Sequence, residues 1–281
     1  MKVRAQREIK KGEEITTRYL GPWEGQPNRQ LKIQRNWKFI CNCVRCQDPS
    51  DLGTYFSAIK CRKCSNIFPN NETCPVRNGN NSNETENECE YFLPVDSQIL
   101  GSPWKCTRCE KKKTVTEIDN ILQKIEKIVE SMKSEIMCCV KIVSPDTVQV
   151  IDTSVKKLEE LVHPNHFIVF QFKKWVLKLP LSPQTASLDK INFLELQMQF
   201  HSDIMKIVES LDPGLTLNRA SHHKEIAQCR IQLSKQKMID RSEGYTKLQH
   251  MNQMKIAMSE LKEVSASFRY PEKISCDKGS K

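Results

Sequence analysis

Between Phe39 and Pro49 the chain reads FICNCVRCQDP, which places Cys41, Cys43 and Cys46 in a C-x-C-x2-C cluster. No other feature constrains the local fold as much. Structural zinc takes four ligands in a tetrahedron with sulfur about 2.3 Å away, so three thiols at this spacing call for a fourth donor. Two further pairs follow, CRKC (Cys61, Cys64) and CTRC (Cys106, Cys109). Two C-x2-C knuckles on one chain are the usual ingredients of a four-thiolate site. The forty-one residues between them exceed the common ribbon spacing. They look like a polar loop, which a zinc site tolerates. Cys74 and Cys89 lie inside that loop and are the alternative ligands. Cys138, Cys139, Cys229 and Cys276 have no partner at ligand spacing and read as core or idle thiols. Catalytic zinc would need an open position and a nearby base. No H-x-E or H-E-x-x-H pattern near these cysteines supplies one, and the histidine pairs 163/166 and 222/223 fall in helical sequence, where surface or satisfied positions are the default.

Thirteen cysteines in a chain whose first residues, MKVRAQREIKKGEEI, lack a continuous apolar stretch point to metal binding in a reducing compartment rather than to disulfides. No apolar run reaches the length of a membrane span. The expectation is a soluble protein of the cytoplasm or nucleus with no membrane partner. The Asn-x-Ser/Thr matches at Asn71, Asn80 and Asn83 are then composition rather than glycosylation sites. The net charge is +10, and residues 1–64 hold fourteen Lys/Arg against six Asp/Glu. Such a surface attracts acidic partners, although a solvated basic face explains it equally well. No groove-reading helix or interleaved aromatic platform accompanies the charge, so direct nucleic-acid binding by a zinc ribbon is the weakest of the readings.

Three regions separate by composition. Residues 1–47 are basic with short β-like runs. Residues 48–113 are rich in Cys, Asn, Gly and Pro, with NNETCPVRNGNNSNETENECE not expected to hold regular structure. Residues 114–281 are helical. Ile118, Ile121, Leu122, Ile125, Ile128, Val129, Met132 and Ile136 form the stripe of a helix that buries one face. Val148, Ile151, Val155, Leu158 and Leu161 predict a second helix, and HFIVFQFKKWVLKL a third that ends at Pro180. Further amphipathic segments cover 187–211, 218–240 and 243–268, with LDPG at 211–214 as a stop. Their packing is expected to be an antiparallel bundle resembling helical repeats, with Met251, Met254 and Met258 in the core.

VRAQREIKKGEEITTRYL followed by RQLKIQRNWKFICNCVRC resembles the last segment of a SET domain and its post-SET cysteine cluster, as in the SET and MYND-domain (SMYD) protein-lysine methyltransferases. DPSDLGTYFSAIKCRKC and PWKCTRC are similar to arthropod-type members. LDPG, NRASHHKEIAQCRIQL and AMSELKEVSASFRYPE resemble the family's helical C-terminal domain. The resemblance implies a mainly α fold with a small β remnant of the SET domain over residues 3–9 and 14–20, a cysteine-rich zinc-binding region, and a TPR-like bundle. It implies methyl transfer from S-adenosylmethionine to a lysine of a histone or another protein. Tyr19 would position the methyl group and the lysine nitrogen, Phe39 would lie against the cofactor adenine, and Trp37 would sit near the lysine channel. It further implies that the fourth ligand for Cys41, Cys43 and Cys46 comes from an upstream Asn-His-x-Cys motif. The chain contains no such motif, so it reads as the C-terminal part of a longer enzyme, inactive alone. The alternative is a zinc-stabilised protein-interaction module without catalysis.

Overall fold

A computed structural model describes residue 5 and residues 8–62, 64, 91–139, 145–180, 185–214, 216–240 and 244–268. These fall into two units: Glu14–Leu211, and Asp212 onward together with the described residues up to Glu13. Within the described residues the fold is mainly helical with one small antiparallel sheet.

In the first unit, helix α1 (Gln26–Trp37) and the short α2 (Val44–Gln47) precede four brief strands. These are β1 (Ile59–Lys60), β2 (Tyr91–Pro94), β3 (Trp104–Cys106) and β4 (Lys112–Lys113), ordered β1-β2-β3-β4. The register pairs Ile59 with Phe92 and Phe92 with Cys106. The outer edge of β1 is closed by a bridge from Ile59 to Val162, with Lys60 N–H donating to Leu161 O at 2.9 Å. Four helices follow: α3 (Val115–Cys139), α4 (Pro145–Glu159), α5 (Phe167–Val176) and α6 (Ser187–Leu211). Thr114 and Glu117 cap α3 reciprocally: Thr114 N–H donates to Glu117 Oε2 at 2.8 Å and Glu117 N–H to Thr114 Oγ1 at 3.2 Å. The core holds Phe56, Phe170, Phe172, Phe193, Ile118, Ile136, Ile151, Leu158 and Ile204, all essentially without solvent contact. The Lys173 ammonium is buried at the α5–α6 contact and reaches Asp203 Oδ2 at 2.8 Å.

The second unit is a helical hairpin of α7 (Leu217–Ile239) and α8 (Lys247–Phe268). Thr216 caps α7 by accepting from Arg219 N–H at 3.1 Å, and its own hydroxyl donates to Asp212 Oδ2 at 2.8 Å, which explains why the helical pattern restarts just after LDPG. Across the hairpin Arg230 reaches Glu260 Oε1 at 2.9 Å and Gln253 Oε1 at 3.0 Å. Ser234 Oγ meets Tyr245 Oη at 2.6 Å and His250 Nδ1 at 2.7 Å.

The six helices expected after residue 114 are present. Three expectations need correction. Residues 14–20 carry no strand, because among the described residues no backbone ladder joins them and Ile15 is exposed; residues 3–9 lie largely outside the described set. Residues 26–37, read as part of a β-like region, form α1. Met251 and Met258 are exposed and Met254 is half-buried, because Arg230, Ser234 and Ala257 occupy the hairpin seam instead. The polar loop, with Cys74 and Cys89, and Cys276 lie outside the described residues.

Candidate functional site

The two C-x2-C knuckles converge at one end of the sheet. Cys61 and Cys64 leave β1, Cys106 ends β3, and Cys109 sits in the turn before β4, where Glu110 takes a positive φ of 57°. All four sulfurs lie within 4.8 Å of one another, with Cys61–Cys109 and Cys64–Cys106 each at 3.7 Å. A tetrahedron with metal–sulfur bonds of about 2.3 Å has edges of about 3.8 Å. The spacing therefore fits zinc. Cys61, Cys64 and Cys106 are buried and Cys109 half-buried. As thiols, Cys64 and Cys106 are pushed up by burial. At Cys109 burial pushes upward too, but donors led by the Lys111 N–H outweigh it and bring the group down to about 7. Loading a divalent ion therefore drives protons off the buried thiols, and affinity falls as pH falls.

Cys41, Cys43 and Cys46 form a second group, their sulfurs also within 4.8 Å of one another. Cys43 caps α2, with the N–H groups of Cys46 and Gln47 donating to its carbonyl at 2.9 and 3.0 Å. The buried Gln30 amide of α1 grips Cys41 at both backbone groups: Nε2 donates to Cys41 O at 2.8 Å and Cys41 N–H donates to Oε1 at 3.2 Å. Ser97, further along the chain, donates its hydroxyl to Cys46 O at 2.7 Å and accepts at its carbonyl from Gln26 Nε2. The segment after β2 thus ties the first thiol group to the sheet that carries the second.

Beneath this group lies Asp51, with no solvent exposure. Its carboxylate meets Arg29 Nη2 at 2.6 Å, Arg45 Nε at 3.0 Å and the Ser57 hydroxyl at 3.0 Å. Burial, followed by the neighbouring Arg29, lowers Arg45 to about 10. The Arg29 guanidinium also lies close enough to Cys46 to interact with it electrostatically. Two guanidinium groups against one carboxylate leave one positive charge beside the thiols. Arg29, Gln30 and Asp51 lie in the stretches RQLKIQRNWKFICNCVRC and DPSDLGTYFSAIKCRKC, but no role was read for them or for Ser97 from sequence. The available signal was the repetition Gln26, Arg29, Gln30, Ile33 at helical spacing.

The three aromatic residues singled out in the sequence also come together. Lys38 caps α1 in the left-handed region (φ 61°), and the turn brings Trp37 and Phe39 to Tyr19. Tyr19 packs edge-on against Trp37 at 5.3 Å and Phe39 at 5.1 Å between ring centroids. Tyr19 remains 46% exposed and Trp37 42%; Phe39 is half-buried. Described residues support these rings from one side and leave ring surface open.

The remaining histidines and thiols are elsewhere. His163 stacks on Tyr55 at 5.2 Å and meets Tyr91 edge-on at 4.9 Å, and burial pushes it down to about 4. His166 caps α5 through Nδ1 and is fully buried; burial, with His163 nearby, pushes it down to about 3. Cys138 is exposed and Cys229 buried.

Comparison with known proteins now bears on this geometry. Over 109 residues, 38% of the chain, it is 34% identical to the SET domain-containing protein SmydA-8, isoform A, of Drosophila melanogaster, and the match covers 19% of the fly protein. Over 48 residues, 17% of the chain, it is 50% identical to the histone-lysine N-methyltransferase SET5 of Meyerozyma guilliermondii and 48% identical to that of Candida albicans. This chain is related to SET-domain proteins. The kinship is partial, since the matched stretches span about a fifth or less of these relatives' own length. No family model matches the chain. No helix among the described residues is long and apolar enough to cross a membrane.

Proposed function

We propose that this chain is the cysteine-rich and helical part of a SMYD-type SET-domain protein-lysine methyltransferase, with its substrate a lysine of a histone or another protein in the nucleus or cytoplasm. The observation that carries this reading is the meeting of Tyr19 with Trp37 and Phe39 immediately before a converged C-x-C-x2-C thiol group. The names of the relatives, a SET domain-containing protein and histone-lysine methyltransferases, support it. The helices after residue 114 are read as the TPR-like bundle of that family.

In this reading S-adenosylmethionine supplies the methyl group. Phe39 offers its ring to the adenine, Trp37 lines the path of the lysine chain, and the Tyr19 hydroxyl orients the amine. Catalysis of this kind is mostly alignment of two reactants. Apolar walls favour the neutral lysine amine by desolvating its charged form. Zinc at Cys61, Cys64, Cys106 and Cys109 and a metal at Cys41, Cys43 and Cys46 are structural: through Gln30 and Ser97 they fix the segment that bears Phe39.

The open rings at Tyr19 and Trp37 favour a second statement, that residues 1–281 alone neither bind S-adenosylmethionine tightly nor methylate. Alone, this chain is a zinc-stabilised protein-interaction module. Purified chain is incubated with isotopically labelled S-adenosylmethionine and core histones. The expected result is no transfer above background. The same chain supplied with the N-terminal SET segment of a SMYD relative should transfer label, and Tyr19→Phe should abolish that gain. Efficient transfer by the chain alone would overturn the second statement; no transfer in any combination would overturn the first.

A further inference from the structure

Side chains alternate between the two faces of a strand, so the register sorts the small sheet into faces of opposite character. Ile59, Phe92, Trp104 and Cys106 share one face and are buried. Lys60, Tyr91, Leu93, Lys105 and Lys112 share the other. There the His163 ring covers Tyr91 at 4.9 Å, while Lys60, Leu93 and Lys105 are half-buried and Lys112 is exposed. Lys105 and Lys112 are direct cross-strand partners, and like charges placed opposite each other destabilise a sheet. Glu110, in the turn between them, meets Lys105 Nζ at 3.0 Å but is one carboxylate beside two ammonium groups. Arg62 and Arg108 stand inside the two knuckles and Lys111 just after the second, with Arg62 and Lys111 exposed. Lys60, Arg62, Lys105, Arg108, Lys111 and Lys112 are six cations. Zinc held by four thiolates carries two net negative charges, so with Glu110 it offsets three of the six and leaves three in excess.

We infer that this lysine face, with the knuckles beside it, is a docking surface for an acidic segment of a partner protein. Charge complementarity sets the sign of the partner. Two observations set its class. Leu93, on the strand between those of Lys60 and Lys105, gives an apolar side chain of a peptide a place to rest beside the lysine stems. Nucleic-acid bases instead need an open ring to stack on, and Tyr91, the aromatic residue of this face, is only 7% exposed. Contacts between such charges set encounter rate and choice of partner more than raw affinity, so the complex is expected to weaken with added salt. Tyr19, Trp37 and Phe39 are not part of this face. Docking here deepens the protein-interaction reading, and because it is read by binding rather than by label transfer, the two fail separately.

The test titrates the zinc-loaded 1–281 chain into a fluorescein-labelled Glu-Leu-Glu-Glu-Leu-Glu peptide and follows anisotropy. The expected result is saturable binding that weakens as salt is added, with the matching Gln-Leu-Gln-Gln-Leu-Gln peptide bound at least about tenfold less tightly. Lys60→Gln/Lys105→Gln/Lys112→Gln should weaken the complex about tenfold. Lys112→Gln alone should melt no lower than the parent, because it relieves the like-charge pair. Lys127→Gln, at an exposed position within α3, should leave binding unchanged. Docking of an acidic segment is overturned if the parent does not bind the Glu peptide, if the Gln peptide binds as tightly, or if the triple lysine variant binds as tightly as the parent. Single-stranded DNA that displaces the label at lower concentration than unlabelled Glu peptide would make nucleic acid the ligand instead. The chain's own stretch ETENECE at residues 84–90 is also acidic. Binding at least about tenfold tighter by Glu84→Gln/Glu86→Gln/Glu88→Gln/Glu90→Gln would make that stretch the occupant and overturn the partner.

Discussion

Removing the charge of Asp51 is the most informative single perturbation of the first unit. Asp51→Asn keeps the size of the side chain and tolerates the left-handed backbone at that position (φ 56°), but leaves Arg29 and Arg45 facing each other without a counter-charge. Both guanidinium groups are largely buried, and each already meets Asp51 within 3.0 Å. Breaking a buried pair by removing one partner costs about 3–5 kcal/mol, and here one carboxylate serves two partners. Against a total stability of about 5–15 kcal/mol, that loss is severe. Urea unfolding followed by circular dichroism measures it, and a second variant isolates the cause. Asp51→Asn/Arg45→Met removes the excess charge and should recover at least about 1 kcal/mol, a coupling of the size seen between residues in contact. A loss below about 1 kcal/mol, or a double variant no more stable than the single one, would refute the claim that Asp51 organises the ground beneath the thiols.

Two other outcomes follow from the same unit. His163, His166 and His201 lie at about 4, 3 and 4 in the folded chain because burial disfavours their charged forms, so the unfolded chain binds up to three more protons below pH 6.5. Stability therefore falls as pH falls, with a slope from these groups approaching about 4 kcal/mol per pH unit near pH 5. His166→Asn, which keeps a cap acceptor, should reduce that slope by about a third; an unchanged slope would place the effect elsewhere. Gly25→Ala puts a Cβ 2.8 Å from Phe167 Cδ1 and 2.9 Å from Cε1, an overpacking that costs about 1–3 kcal/mol, and an unaltered melting temperature would contradict that contact.

The helices between residues 115 and 211 were legible because each buries an apolar stripe at the helical period, whereas α8 leaves Leu248, Met251, Ile256 and Met258 exposed. The four-thiol site was legible because spacing within each knuckle is a local property, even though forty-one residues separate the two knuckles. Helix α1 was not legible: its buried face is Gln26, Arg29 and Gln30 with only Ile33 apolar, so hydrophobic periodicity has nothing to register. The polar groups are inside because they serve Asp51, Cys41 and Ser97, which are distant in sequence. The marks that could have shown the helix were Gly25 as cap and Pro27 in the first turn. The strand expected over residues 14–20 failed for the complementary reason: alternation can be read locally, but a strand exists only where a partner pairs with it.

We propose that zinc held by Cys61, Cys64, Cys106 and Cys109 ties the strands of the sheet together. X-ray absorption at the zinc edge on the purified chain tests this most directly. The expected spectrum shows a first shell dominated by sulfur at about 2.3 Å, and Cys106→Ser removes that zinc together with the ordered sheet. A chain that contains no zinc yet keeps its full fold, or zinc bound mainly by nitrogen and oxygen, would contradict it.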